Sequence, residues 1–283
     1  MPHREPTVPA TSAEEPSQGK AAAGAARPRP TRLAPSRTVV FDCDSTLSSI
    51  EGVEELGRDH RDEIQRLTHE AMAGLVPLEE VYGRRLALAQ PDRERVEALT
   101  RRYIEGLVPD ARETVAALLA EGIAVRILSG GLLPAVRGLG AALGIPADAV
   151  GAVDVRFDAE GRYAGFDTGS PLARAGGKAV VLAEWRRAVR TPILLVGDGA
   201  TDLEARDAAD AFVAFAGIIE RPAVTAAADV VVRARSLAPI LPLALAGRPP
   251  RAAAARELFE RGLSMLDAEA RAAIDSNAND SER

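Results

Sequence analysis

Short apolar runs at residues 38–41, 123–128, 192–196, 211–215 and 229–232 punctuate the chain from Thr38 onward. Bounded by turn residues, such runs predict buried strands. Between them, residues 111–121, 132–143, 178–189 and 202–208 carry apolar positions at helical spacing. Strands alternating with helices predict βαβ units and a parallel sheet covered on both faces. One interval departs from this rhythm. Residues 156–166, with Gly161 at the centre, predict a hairpin.

Residues 50–105 contain no convincing strand. Three helical stripes run through them: Ile64, Leu67, Ala71 and Met72; Leu78, Val81, Tyr82, Leu86 and Ala89; Val96, Leu99 and Tyr103. A helical insertion directly after the first strand lies over the crevice where open α/β sheets bind ligands, so it is placed to act as a lid. The organisation expected is a core over residues 38–49 and 106–245, a helical cap over 50–105 and a C-terminal extension over 246–283. The extension holds one helical stripe of Phe259, Leu263, Leu266, Ala270 and Ala273, and is expected to fray over Ser276–Arg283. Residues 1–37 hold seven of the 19 prolines and no aromatic residue. They are expected to be disordered, because they cannot bury enough surface to offset the entropy of ordering. Their six basic residues against three acidic could form a weak tether, although an idle tail suffices.

Composition narrows the chemistry. The 283 residues carry a net charge of −6, which argues against nucleic acid as a partner. No apolar run is long enough to span a membrane, and the tail has no apolar signal segment. Cys43 is the single cysteine, which fits a reducing, cytoplasmic setting. Only His3, His60 and His69 are available, so a histidine cluster or a Ser-His-Asp triad is poorly supplied. Carboxylates are the expected working groups.

Four motifs stand at the predicted strand ends or helix starts. The first, Asp42-Cys43-Asp44-Ser45-Thr46, follows the opening strand. Residues two apart on extended backbone point the same way, so both carboxylates can face one site. Two close carboxylates favour a bound cation. A polar turn would explain the same residues, but an EF-hand would not: Leu47 and Val53 stand where it needs Gly and Glu. The second, Ser129-Gly130-Gly131, offers a hydroxyl and backbone amides to an anion, as many strand-to-helix turns do. In the third, Gly176-Gly177-Lys178, a lysine opposes the dipole of the helix it opens. A solvated lysine is the bland account; a bound anion is the functional one. It is not a P-loop, since Leu172 and Ala179 occupy diagnostic positions. The fourth, Gly197-Asp198-Gly199-Ala200-Thr201-Asp202, places Asp202 where a dinucleotide loop needs glycine, and so suits a metal better. In a parallel sheet these groups share one edge. Carboxylates, a divalent cation and anion donors together are what phosphoryl transfer requires.

This order of motifs resembles the haloacid dehalogenase superfamily, and within it the phosphoserine phosphatase branch, from Thr38 to about Leu245. Further matches lie at Glu51-Gly52-Val53-Glu54-Glu55-Leu56, Ala71-Met72, Arg85-Leu86-Ala87-Leu88 and Gly161-Arg162-Tyr163-Ala164-Gly165-Phe166-Asp167. The resemblance implies a Rossmann-like core with a small helical cap and a Mg²⁺-dependent phosphoric monoester hydrolase. It implies that Asp42 is the nucleophile and Asp44 the general acid and base. Asp42, Asp198 and the main-chain carbonyl of Asp44 would hold the metal. Ser129, Gly130 and Lys178 would bind phosphate, Met72 and Thr201 would contact substrate, and Asp202 would support the metal shell or orient Lys178. Leu78 and Ala73 depart from the family, where phenylalanine and glycine are common.

The cap carries the substrate argument. Arg85 lies in register with the apolar stripe from Leu78 to Ala89, whereas Arg84 lies off it. A guanidinium turned to the core needs an anion, unless it snorkels or pairs within the cap. A substrate carboxylate would satisfy it bidentately. Glu51, at the hinge into the cap, is either a helix-start glutamate or a partner for a substrate ammonium. Together they describe an amino acid O-phosphate, of which O-phospho-L-serine is the simplest candidate, hydrolysed to serine and phosphate in serine biosynthesis by an expected monomer or homodimer. Another small phosphomonoester, or a non-catalytic protein keeping the fold, are the rivals.

Overall fold

A computed structural model describes residues 33–72 and 76–281, with the side chains of residues 68, 69, 71, 72, 78, 79 and 273–281 outside the description. The expected tail therefore falls mostly outside the described residues, as do Ala73 and the side chains of Ala71, Met72, Leu78 and Ala273. Ser36 and Arg37, expected to belong to the tail, join the fold: their N–H groups donate to Ala244 and Pro192 carbonyls at 2.8 Å each.

The chain opens with β1 (Thr38–Phe41) and continues through four helices, α1 (Gly52–Leu56), α2 (Arg61–Met72), α3 (Leu78–Ala89) and α4 (Arg93–Glu105). Next come α5 (Ala111–Ala120), β2 (Ala124–Leu132), α6 (Leu133–Ala142) and β3 (Val150–Val153). The hairpin β4 (Val155–Phe157) and β5 (Tyr163–Phe166) precedes α7 (Gly177–Arg186) and β6 (Ile193–Gly197). The chain then forms α8 (Ala200–Ala205), β7 (Ala211–Phe215), α9 (Pro222–Ala227), β8 (Val230–Val232), α10 (Ile240–Ala244) and α11 (Arg256–Ser281).

Six strands form one parallel sheet in the order β3-β2-β1-β6-β7-β8. The α/β class read from the sequence is the one observed. Period-two alternation sends Val39, Phe41, Val125, Ile127, Leu194 and Val196 to one face, packed with residues of α5, α6, α10 and α11. Val40, Leu128, Ile193, Leu195 and Phe212 face the opposite way, against Leu182 of α7, Ala205 of α8 and Val224 of α9. Strand order reverses direction between β1 and β6, and such a switch point opens a crevice at the carboxyl ends of the strands.

Three features differ from expectation. β3 is an additional edge strand. β2 runs on through Ser129-Gly130-Gly131, with a register shift against β3 between Leu128 and Leu132, so these residues end a strand instead of forming a turn. The last helix continues to Ser281, because neither Gly nor Pro follows Gly262 to stop it. The hairpin also has a task that its sequence did not disclose: it braces α3 and α4. Phe166 stacks edge-on to Tyr82 at 5.2 Å, the Arg93 guanidinium lies 4.9 Å over the Phe157 ring, and Arg93 N–H donates to the Gly161 carbonyl at 2.9 Å. No helix among the described residues is long and apolar enough to cross a membrane.

Candidate active site

Asp42 stands one residue past β1, at the switch point. Its Oδ1 accepts hydrogen bonds from Cys43 N–H at 2.7 Å and from the Lys178 ammonium at 2.8 Å. Lys178 also donates to Asp202 Oδ1 at 2.8 Å, and Asp202 Oδ2 accepts from Gly199 N–H at 3.0 Å. The lysine sits in the first turn of α7, where its charge opposes the helix dipole. Two buried carboxylates compensate for that. Burial pushes the Lys178 ammonium down, but Asp202 and Asp42 outweigh it and hold the group above the usual lysine range, so it stays charged. The tight start of α7 depends on glycine: a Cβ on Gly177 would lie 1.8 Å from the Pro171 carbonyl oxygen.

Asp44 lies half-buried near it. Its Oδ1 accepts from Gly52 N–H at 2.6 Å and from the Tyr103 hydroxyl at 2.8 Å, and the Ser129 hydroxyl lies 3.4 Å from its Oδ2. Burial, reinforced by the negative charges of Glu51 and Asp42, raises Asp44 to about 7. An acid in that range can both give and take a proton near neutrality. Burial also raises Asp202 to about 7, with Asp42 adding to the effect.

Asp198, from the end of β6, accepts from the Thr46 hydroxyl at 3.1 Å and from the Arg221 guanidinium. Carboxylate oxygens of Asp42, Asp198 and Asp202 all lie within 4.8 Å of one another. An all-oxygen, anionic donor set suits a hard divalent cation. All three are also engaged with cations of the protein, Asp42 and Asp202 with Lys178 and Asp198 with Arg221.

Asp42, Asp44, Lys178 and Asp198 line a cavity of about 200 Å³, to which α1 and α3 contribute Val53, Tyr82 and Arg85. Of the residues expected from the sequence, Asp42, Asp44, Glu51, Gly130, Lys178, Asp198 and Thr201 reach it, and Arg85 enters it from α3. Asp202 stands behind Lys178. Ser129 is fully buried, and its hydroxyl accepts from Gly131 N–H at 2.9 Å, so that amide is engaged within the motif. The Met72 side chain lies outside the described residues. Glu51 accepts from the Ser45 hydroxyl at 2.7 Å; burial raises it, with Ser45 and Arg221 opposing.

Three residues of the site escaped the sequence reading. Arg221 bridges Asp198 and Glu51, the latter at 3.8 Å, from a loop without periodicity. Tyr82 and Tyr103 were read as members of apolar stripes. A stripe does disclose that such a residue is buried; it does not disclose where the hydroxyl ends. The Tyr82 hydroxyl and Arg85 Nε are buried with no hydrogen-bond partner among the described residues, and both side chains line the cavity. Buried donors without partners are rare in folded proteins. Both belong to one helix face, three residues apart.

The family model for haloacid dehalogenase-like hydrolases matches residues 39–206. Phosphoserine phosphatase of Bos taurus is 39% identical over 186 residues, covering 65% of this chain and 83% of that protein. A solved phosphoserine phosphatase carrying a phospho-aspartyl intermediate analogue superposes with a TM-score of 0.60 at 27% identity, covering 74% of this chain and 98% of the other. A substrate-bound phosphoserine phosphatase complex gives a TM-score of 0.62 at 26% identity, over 72% and 96% of the two chains. The chain belongs to the haloacid dehalogenase-like hydrolases and, within them, to the phosphoserine phosphatase family.

Proposed function

We propose that this protein hydrolyses O-phospho-L-serine to L-serine and inorganic phosphate through an acyl phosphate on Asp42, with Mg²⁺ as the divalent ion. The observation that carries the proposal is the convergence of Asp42, Asp44, Lys178 and Asp198 beneath a cap that offers Arg85 and Glu51 to the same cavity.

Each residue has a task that follows from its surroundings. Cys43 N–H and Lys178 occupy Asp42 Oδ1, which leaves Oδ2 to attack phosphorus. As the Asp42–phosphorus bond forms, the bond from phosphorus to the seryl oxygen breaks, and Asp44 passes its proton to that oxygen. Asp44, now a carboxylate, accepts a proton from water. The resulting hydroxide displaces Asp42 and releases phosphate. Lys178 offsets the charge developing on the phosphoryl oxygens, with Gly130, in the lining of the same cavity, and Ser129 as the further phosphate-binding residues of this reading. Asp42, Asp198 and the Asp44 main-chain carbonyl would hold Mg²⁺. When bound, the ion draws charge from the phosphoryl group as a Lewis acid. Arg85 and Glu51 provide opposite charges for the carboxylate and ammonium of the amino acid. The single cysteine, buried and unpaired, supports a reducing, cytoplasmic setting.

The test is phosphate release from L-phosphoserine with and without Mg²⁺, beside p-nitrophenyl phosphate and phosphoethanolamine. The proposal expects metal-dependent turnover with the highest kcat/KM on L-phosphoserine. Rapid hydrolysis of the other two beside none on L-phosphoserine would refute the substrate assignment.

A further inference from the structure

The two carboxyl oxygens of Asp44 have unlike surroundings. Oδ1 accepts two strong hydrogen bonds, from Gly52 N–H at 2.6 Å and Tyr103 Oη at 2.8 Å. Oδ2 has the Ser129 hydroxyl at 3.4 Å as its partner among the described residues. An oxygen that already receives two donors has no lone pair left for the acid proton. The proton therefore belongs on Oδ2. Nothing intrinsic to aspartate keeps it there, because the terminal torsion is broad and two-fold, so the two oxygens can exchange places. Something outside the residue must fix the orientation.

Both donors come from the cap: Gly52 opens α1, and Tyr103 lies in the last turn of α4. The Tyr103 ring is fully buried. Its hydroxyl occupies space that a side chain at position 52 would claim, since a Cβ there would lie 2.0 Å from Tyr103 Oη and 3.3 Å from Asp44 Oδ1. Glycine at 52 thus serves two ends: it admits the hydroxyl, and it brings its own N–H to the same oxygen. An ordinary core tyrosine would also seek a partner for its hydroxyl. Here the acceptor it takes is the acid of the reaction.

We propose that Tyr103 is a positioning residue, which locks the Asp44 carboxyl with Oδ1 toward the cap and Oδ2 toward the leaving group. This rests on the assignment of Asp44 as the general acid made above. The consequence is selective. A seryl oxygen must be protonated as it leaves, so misorienting the acid slows its departure. A nitrophenolate leaves without a proton and is indifferent.

The experiment is rapid-quench measurement of phosphoenzyme formation from L-phosphoserine and from p-nitrophenyl phosphate, by wild type, Tyr103→Phe, Asp44→Asn and the double variant. A hydrogen bond to a group that carries charge in the reaction predicts a loss of about tenfold or more for Tyr103→Phe on L-phosphoserine. The loss on p-nitrophenyl phosphate should stay below about twofold, with KM unchanged. Asp44→Asn should show the same selectivity on a larger scale, and the double variant should be no slower than Asp44→Asn alone, as expected for two residues acting as a unit. Equal losses on both substrates for Tyr103→Phe, or losses that multiply in the double variant, would overturn the inference while leaving Asp44 in place. Unselective loss in Asp44→Asn would overturn the reading of Asp44 and the inference with it. If Tyr103→Phe does not fold, 3-fluorotyrosine can replace the three tyrosines, with the Tyr103 resonance assigned by elimination using Tyr82→Phe and Tyr163→Phe. That ¹⁹F signal should move in Asp44→Ala, and a stationary signal would overturn the contact.

Discussion

Arg85→Ala separates substrate recognition from structural support. Arg85 reaches the cavity from α3, and its Nε is buried without a hydrogen-bond partner among the described residues. Its neighbour Arg84 is exposed and spends its charge on Glu80 at 3.7 Å. If Arg85 grips a substrate carboxylate through charge-assisted hydrogen bonds, its removal should cost about 3–4 kcal/mol of transition-state binding, or about two to three decades in kcat/KM on L-phosphoserine. Phosphoethanolamine keeps the phosphate and the ammonium but lacks the carboxylate, so its kcat/KM should change by less than about threefold. Stability should respond differently. A buried donor left unpaired costs roughly 1–3 kcal/mol in the free protein, and Arg85→Ala removes that cost while forfeiting the packing of the aliphatic stem. The melting temperature should therefore hold or rise slightly. Arg84→Ala, which loses an exposed pair worth about 0–1 kcal/mol, is the neutral control in both assays. Equal losses on the two substrates, or a large fall in melting temperature with activity lost in proportion, would show that Arg85 braces the cap instead of reading the substrate.

Two further outcomes follow from the carboxylate cluster. Magnesium at about 100 times its Kd should stabilise the protein by about 2.7 kcal/mol, seen as a rise in melting temperature, and Asp198→Asn should abolish that rise; a full shift in Asp198→Asn would remove Asp198 from the metal set. In chelator-treated protein, burial raises Asp44 and Asp202 from 3.8 to about 7, so the folded state binds more protons than the unfolded state between those values. Stability should then fall as pH rises through that window, and a melting temperature that climbs from pH ~5.5 to ~7.5 would contradict the assignment.

Much of the fold was legible because the buried strands leave little ambiguity. Thr38-Val39-Val40-Phe41 is apolar on both faces, as a central parallel strand must be, and both faces are covered in the structure. β3 was not legible: it is four residues long, pairs on one edge and contains Gly151, so its apolar signal is too short to separate from a loop. The extension of β2 through Ser129-Gly130-Gly131 was hidden for a related reason, since Ser-Gly-Gly reads as a turn until a neighbouring strand pairs across it.

In the site, the groups at strand ends were recoverable from position alone. Asp42, Asp198 and Lys178 follow directly from where β1, β6 and α7 begin or end. Tyr82 and Tyr103 were visible only as buried ring positions, because helical periodicity reports which face is inside and not what a terminal hydroxyl meets. Arg221 had no signal at all. It reaches Asp198 from 23 residues away through a loop whose course depends on β7 and α9.

The central claim is a covalent phosphoryl group on Asp42, and acid-quench trapping during turnover tests it most directly. Reduction of the trapped protein with borohydride converts an aspartyl phosphate to homoserine, which identifies the residue by mass spectrometry. The account requires homoserine at position 42, its accumulation in Asp44→Asn turning over p-nitrophenyl phosphate, and its absence in Asp42→Asn. Full turnover by Asp42→Asn, or homoserine at any other position, would contradict it.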